Sequence, residues 1–214
     1  MPTELRLEIY ADPVCPWCLI GKAWLDRALE SARDHPFAVE WHPLRLDPNV
    51  PPGGLDHRDW LEAHHGSQMG AVEALKPVLA AAQAAGIVLN LPAIARMPDT
   101  TDAHRLLHWA RLEGRQTPVM AALMRAHWRE GRDIGDPAVL AGIAGTAGLD
   151  PAVIARLLAT DADRDVIAAR EQAARDRGIR ATPTFVIAGT HVLAGAQPVA
   201  LWRDVLRELR ERAP

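Results

Sequence analysis

Apolar residues repeat at every second position near the two ends of the chain and at helical spacing between them. That order limits the possible folds more than any other feature. Leu5, Leu7 and Ile9 alternate with Arg6, Glu8 and Tyr10, the period of a strand. Pro13 ends the run, because proline cannot donate to a ladder. Leu19, Ile20, Trp24, Leu25, Ala28 and Leu29 then recur at helical spacing over about residues 16–33. Phe37, Ala38, Val39, Glu40 and Trp41 read as a second strand, ended by Pro43. A connector rich in proline and glycine follows, with Pro48, Pro51, Pro52, Gly53 and Gly54.

From about 56 to 178 the pattern is helical and rich in alanine. One helix spans Val72 to Ala85 and ends near Gly86. A second runs from Asp102 to Glu113, with Thr100 or Thr101 as its N-cap. Thr117-Pro118 opens a third that reaches Glu130. Asp136-Pro137 opens a fourth that ends near Gly148, and Asp150-Pro151 opens a fifth. A sixth stops at Gly178. The strand signal returns in Thr184–Ile187 and His191–Leu193, a hairpin around Gly189-Thr190, and residues 198–212 form a closing helix. The order predicts an α/β domain interrupted by an all-helical insertion of about 120 residues. Its first half is 1–50, the insertion is 51–178 and its second half is 179–214.

With 214 residues the chain buries enough surface to fold without staples. A net charge of −3 gives no basic surplus, so no nucleic-acid partner is expected. No apolar run approaches the length of a membrane span. The first ten residues lack the basic and apolar regions of a secretory signal, so the expected address is cytoplasmic. In a reducing compartment two close cysteines are more often catalytic, redox-sensing or metal-binding than a structural bridge.

Those cysteines stand in Cys15-Pro16-Trp17-Cys18, between the first strand and the first helix. A thiol reacts as its thiolate, and a helix N-terminus favours negative charge. Pro16 suits the first helical turn, where its missing N–H costs nothing. Cys15 is therefore expected to attack, from the open loop. Cys18, one turn further in, is expected to resolve the mixed disulfide. Pro16 and Trp17 are expected to tune the pair, Pro16 by withholding an N–H and Trp17 by laying an apolar surface beside the sulfur.

Two other readings compete. The pair is half a zinc site, with His104 and His108 sharing a helix face, although Cys18 lies far from them in sequence and no further cysteine is present. Alternatively the pair is buried and inert. Of the other side chains, His57, His64 and His65 adjoin the connector and are expected in solvent, and His42 ends a strand. His104 and His108 are expected at the surface or between insertion and α/β domain. Asp12 either caps the helix or raises the Cys15 pKa. Met97, Trp109, Met120, Met124 and Trp128 are expected in the core, with an apolar groove as the alternative.

Thr182-Pro183 before the apolar run Thr184–Ile187, taken with the strand, cysteine pair and helix, resembles the thioredoxin superfamily. The helical insertion narrows the resemblance to the DsbA-like group and, within it, the cytosolic FrnE-type branch. The residues that carry it are Asp12–Cys18 with Ile20-Gly21-Lys22, Val39–Pro43, Thr101–Leu106, Gly178–Val186 and Gly195–Pro198. The resemblance implies a thioredoxin fold and dithiol–disulfide exchange with protein or peptide thiols. It also implies no metal or bound organic cofactor, with glutathione as a candidate external reductant. It further implies a cis bond at Thr182–Pro183, with Thr182 offering backbone groups to an extended substrate. The chain departs from the branch in lacking a second Cys-x-x-Cys and in having Thr182, where many relatives have valine. An alternative is a glutathione-dependent isomerase or transferase of the kappa-class type. Those enzymes usually have serine where Cys15 stands and need no resolving thiol.

Overall fold

The computed structural model describes residues 5–32 and 34–211. Strand β1 (Leu5–Ala11), helix α1 (Pro16–Glu30) and strand β2 (Phe37–Pro43) open the fold. A two-residue strand pair, β3 (Leu55–Asp56) and β4 (Arg96–Met97), brackets α2 (His57–His65) and α3 (Gln68–Ala84). The helices α4 (Thr101–Leu112), α5 (Gln116–Trp128), α6 (Pro137–Thr146), α7 (Pro151–Leu158) and α8 (Arg164–Asp176) follow. Strands β5 (Thr184–Ile187) and β6 (His191–Ala194) and helix α9 (Val199–Glu211) close it. The two sheet-forming halves of this α/β fold are separated by helices.

The sheet order is β2-β1-β5-β6. β1 runs parallel to β2, paired from Leu5–Phe37 to Ala11–Pro43, and antiparallel to β5. The parallel pair needs a crossover, which α1 supplies. The alternation in β1 suggests one wet face, yet Leu7 to Ala11 are all buried. Leu7 and Ile9 join Phe185 and Trp202 in the larger core, whereas Tyr10 packs with Leu44, Ala174, Ile179 and Val186 on the opposite face. Helices cover both faces of this central strand. Glu8 is therefore met by the Arg177 guanidinium at 3.3 Å instead of by water.

The helical segment starts at His57, as the pattern from about 56 indicates, one helix ahead of the first that the apolar spacing marks out at Val72. α2 carries no apolar spacing of its own, because most of its residues are polar. Asp56 nevertheless caps it, accepting from the Arg58 and Asp59 N–H groups, and Ser67 caps α3 five residues ahead of Val72. Asp136 and Asp150 cap α6 and α7 as their Asp-Pro pairs indicate. Thr100 stands at the N-cap of α4, but its hydroxyl turns away to donate to Asp12. Among the described residues no helix is long and apolar enough to cross a membrane.

Specific polar contacts dock the helices on the sheet. The Gln116 side chain bonds both backbone groups of Trp41 at 2.8 Å, so it completes the outer edge of β2. Glu171, almost wholly buried, takes the Arg45 backbone N–H at 2.6 Å and its guanidinium at 2.9 and 3.0 Å. Trp128 Nε1 donates to the Pro13 carbonyl at 3.0 Å, which ties α5 to the loop ahead of Cys15. Met97, Trp109, Met120, Met124 and Trp128 are all buried, as core residues.

Candidate active site

Ala11 ends β1, and the chain turns at once into α1. Cys15 is the N-cap residue with extended backbone, and Pro16 occupies the first helical position. The turn is closed by the Cys15 N–H bonding the Asp12 carbonyl at 3.0 Å and by the Cys18 N–H bonding the Cys15 carbonyl at 3.0 Å. The Cys15 sulfur thus sits where the unpaired N–H groups of α1 point.

On the far side of the sulfur lies the loop before β5. The Thr182–Pro183 peptide bond is cis. The Thr182 carbonyl is 3.6 Å from Cys15 Sγ and accepts from it. The loop is held by the Gly195 N–H on the Pro183 carbonyl at 2.7 Å and by the Thr184 hydroxyl on the Ala181 carbonyl at 2.6 Å. Gly21 lets this loop approach α1. A Cβ there would lie 3.2 Å from the Pro183 ring and 3.3 Å from Phe185.

Both cysteines are free thiols. The Cys18 thiol donates to the Cys15 sulfur, and this is the main influence lowering the Cys15 pKa. Burial opposes it, while the Thr182 hydroxyl and the Cys18 N–H add to the lowering. Cys18 is pushed well above the ordinary thiol value by burial and by its neighbour's sulfur. The two thiols are therefore driven apart, with Cys15 the one that ionises first.

Asp12 does not cap α1. It is fully buried, with Oδ1 accepting from the Val14 N–H and Oδ2 from the Leu46 N–H at 2.7 Å and the Thr100 hydroxyl at 3.1 Å. Burial pushes its pKa up to about 7 despite these donors, and its charge acts to raise Cys15. His104 Nε2 lies 3.8 Å from Asp12 Oδ1, buried and beyond hydrogen-bond reach. Burial brings His104 down to about 4, so the ring is neutral. His108 faces Arg170 at 3.3 Å. Among the described residues no three His, Cys, Asp or Glu side chains converge as a metal site would require.

Cys15 is not on an open loop, as the sequence leads one to expect. It is only 2 % exposed and Cys18 1 % exposed, because α2, α3 and α5 close over the turn. Cys15 instead lines a cavity of about 280 Å³, with Pro16, Trp17 and Thr182 beside it. Trp60, Val78, Met97 and Trp128 form apolar walls, and His57, His64, His65 and His127 complete the lining. The buried-pair reading is thus right about burial, but the Cys15 sulfur lines a chamber. His57 is buried and not in solvent, since α2 turns its first residue inward.

The sequence reading names neither His127 nor Trp60, and it takes Thr100 only as a helix cap. His127 could have been found, because it lies at helical spacing from Met120, Leu123 and Met124 on the buried face of α5. Trp60 and His57 gave no signal without the knowledge that α2 folds back over α1.

A family profile described as DSBA-like thioredoxin domain matches residues 6–207. YwbO of Bacillus subtilis is 30% identical over 193 residues, 90% of each chain. The crystal structure of SCO1869 from Streptomyces coelicolor, described as a probable DsbA oxidoreductase, is 30% identical. It superposes with a TM-score of 0.85 over 98% of this chain and 92% of that one. The cytosolic disulfide reductase DsbM of Pseudomonas aeruginosa, solved with GSH, has a TM-score of 0.69 at 21% identity. That match covers 96% of this chain and 99% of that one, and it speaks to the fold alone.

Proposed function

The chain belongs to the DSBA-like thioredoxin domain family, and on that premise we propose that Cys15 and Cys18 exchange a dithiol and a disulfide with protein or peptide thiols. The family is one of thiol–disulfide oxidoreductases that work through a redox-active cysteine pair without a cofactor. The observation that carries the assignment is the placement of Cys15. Its sulfur lies at the start of α1 and 3.6 Å from the Thr182 carbonyl, and it accepts from the Cys18 thiol.

In this reading the Cys15 thiolate attacks one sulfur of a substrate disulfide. A bond forms to Cys15 as the substrate S–S bond breaks, and the departing thiolate takes a proton from water. Cys18 then loses its proton and attacks the Cys15 sulfur, which releases the second substrate thiol. The substrate has gained two electrons and two protons, and the protein holds a Cys15–Cys18 disulfide. Run backwards, the same steps oxidise a dithiol. Pro16 and Trp17 shape the chamber at the sulfur, and Thr182 and Pro183 present backbone to the substrate. Glutathione is the candidate external reductant, and DsbM, which shares the fold, was solved with GSH. A cytoplasmic location and the partition into 1–50, 51–178 and 179–214 belong to the same reading, as does FrnE-type branch membership.

Cys15→Ser tests it. Reduction of insulin disulfides by dithiothreitol with the protein as catalyst should fall to the uncatalysed rate, and undiminished catalysis by the variant would remove the proposal. Equilibration with glutathione buffers then fixes the direction of work. A potential near the cytosolic pool, about −220 to −320 mV, supports reduction or isomerisation, whereas a much more oxidising one supports oxidation. Glutathione conjugation or isomerisation that survives Cys18→Ser would favour the kappa-class alternative.

A further inference from the structure

Four imidazoles line the chamber over Cys15, and two of them, His57 and His127, are buried; thiol exchange requires neither. His57 opens α2 and His127 sits in the last turn of α5. Their rings meet edge to face with centroids 6.5 Å apart. His127 is 1 % exposed and packs edge-on against Trp128 at 4.9 Å. It lines the cavity and makes no hydrogen bond among the described residues. Burial brings its pKa to about 3, so it is a neutral ring with one donor and one acceptor unused. His57 is also lowered by burial, against the opposing influence of the Ile94 backbone and Asp56.

Apart from Thr182 and the exposed His64 and His65, the rest of the wall is largely apolar, with Val14, Leu61, Leu75, Val78, Leu91 and Met97. A buried polar group without a partner is costly, and native structures rarely leave one so. A charged group of a ligand would find no counter-charge in either neutral ring. A peptide amide fits both, since its N–H can meet a ring acceptor and its carbonyl the His127 N–H. The volume of about 280 Å³ lies just below the usual range for small-molecule sites, roughly 300–1,000 Å³. It admits a short peptide and not a folded loop.

We propose that His57 and His127 are positioning residues that dock the amide of a short cysteinyl peptide with its sulfur against Cys15. This rests on the exchange reaction above and narrows its substrate class to uncharged backbone next to a cysteine, presented on a small molecule.

The test compares two disulfides, N,N′-diacetylcystine bis(methylamide), which has an amide on each side of the cysteine, and diethyl disulfide, which has none. Steady-state turnover of both is measured with the full chain and with His127→Phe, His127→Gln and His57→Phe. His127→Phe should raise the KM of the amide disulfide about tenfold with kcat within a factor of two, the loss expected when a substrate amide is left unpaired. Diethyl disulfide should be unaffected, and His127→Gln, which restores a donor and an acceptor, should recover most of the loss. His57→Phe should act in the same direction by a smaller factor. Equal slowing of both disulfides, or an unchanged KM for the amide disulfide, overturns the proposal. Should the phenylalanine variants not fold, the native protein decides. A kcat/KM for the amide disulfide about tenfold above that of diethyl disulfide supports docking, and equal values overturn it. Absence of turnover for either disulfide by the native protein removes the exchange reading itself, and this inference with it. Turnover without amide discrimination removes this inference alone.

Discussion

Replacing Cys18 by alanine isolates what makes Cys15 reactive. The Cys18 thiol is the foremost influence lowering the Cys15 pKa, ahead of the Thr182 hydroxyl and the Cys18 N–H. Alanine removes the thiol and leaves the other two donors and the start of α1 in place. A hydrogen bond to a charged acceptor contributes roughly 1.5–3 kcal/mol, and a thiol, as a weak donor, belongs at the low end. At about 1.4 kcal/mol per factor of ten, the Cys15 thiolate population at neutral pH should fall about tenfold. The variant has a single cysteine, since the chain has two, so every thiolate observed is Cys15. Alkylation by iodoacetamide across pH, normalised to the alkaline plateau to cancel any change in access, gives the midpoint directly. It should move upward. A midpoint that stays or falls would refute the idea that Cys18 is the principal donor, and would leave the helix start and Thr182 as the source. The linkage has a consequence for stability as well. A thiol whose folded pKa is lowered contributes stability that is fully present above its unfolded value and lost as pH falls through the folded one.

Further outcomes follow from the same structure. Stability should rise with pH between about 4 and about 6.5. His42 and His104, at about 4, and His127, at about 3, are neutral when folded and take up protons on unfolding, whereas Asp12, at about 7, releases one. Three protons gained against one released gives a slope of up to about 3 kcal/mol per pH unit, readable by urea unfolding, and a falling curve would contradict it. Trp128→Phe leaves the buried Pro13 carbonyl without its donor and should cost about 1–3 kcal/mol in the same assay, with an unchanged midpoint the disproof. Gly21→Ala gains helix propensity of about 1 kcal/mol but forces a methyl to 3.2 Å from the Pro183 ring. Net destabilisation, together with a raised Cys15 alkylation midpoint as Thr182 is displaced, is expected, and a more stable variant with unaltered Cys15 would show the contact is slack.

Much of the site could be read in the sequence because its signals are local. A strand period, a proline at the first helical position and two cysteines one turn apart place a sulfur at a helix start without reference to any other part of the chain. The caps at Asp136 and Asp150 were legible for the same reason, since a cap side chain bonds the backbone two or three residues on. Polar residues that take long-range partners were misjudged. Glu8 and Tyr10 look like the wet side of a strand, but α8 brings Arg177 over them. Asp12 and Thr100 look like caps, but each spends its oxygen on the other across 88 residues.

The order of elements and the seat of the cysteine pair at a helix start were legible from the chain alone, because these depend on neighbours within a few residues. Only the tertiary structure decided that Cys15 is enclosed and not open. It also decided which histidines face it and which buried groups hold the helices to the sheet. Solvent access and buried polar partners are set by segments that meet across large separations, and the period of an apolar pattern carries no record of what packs against it.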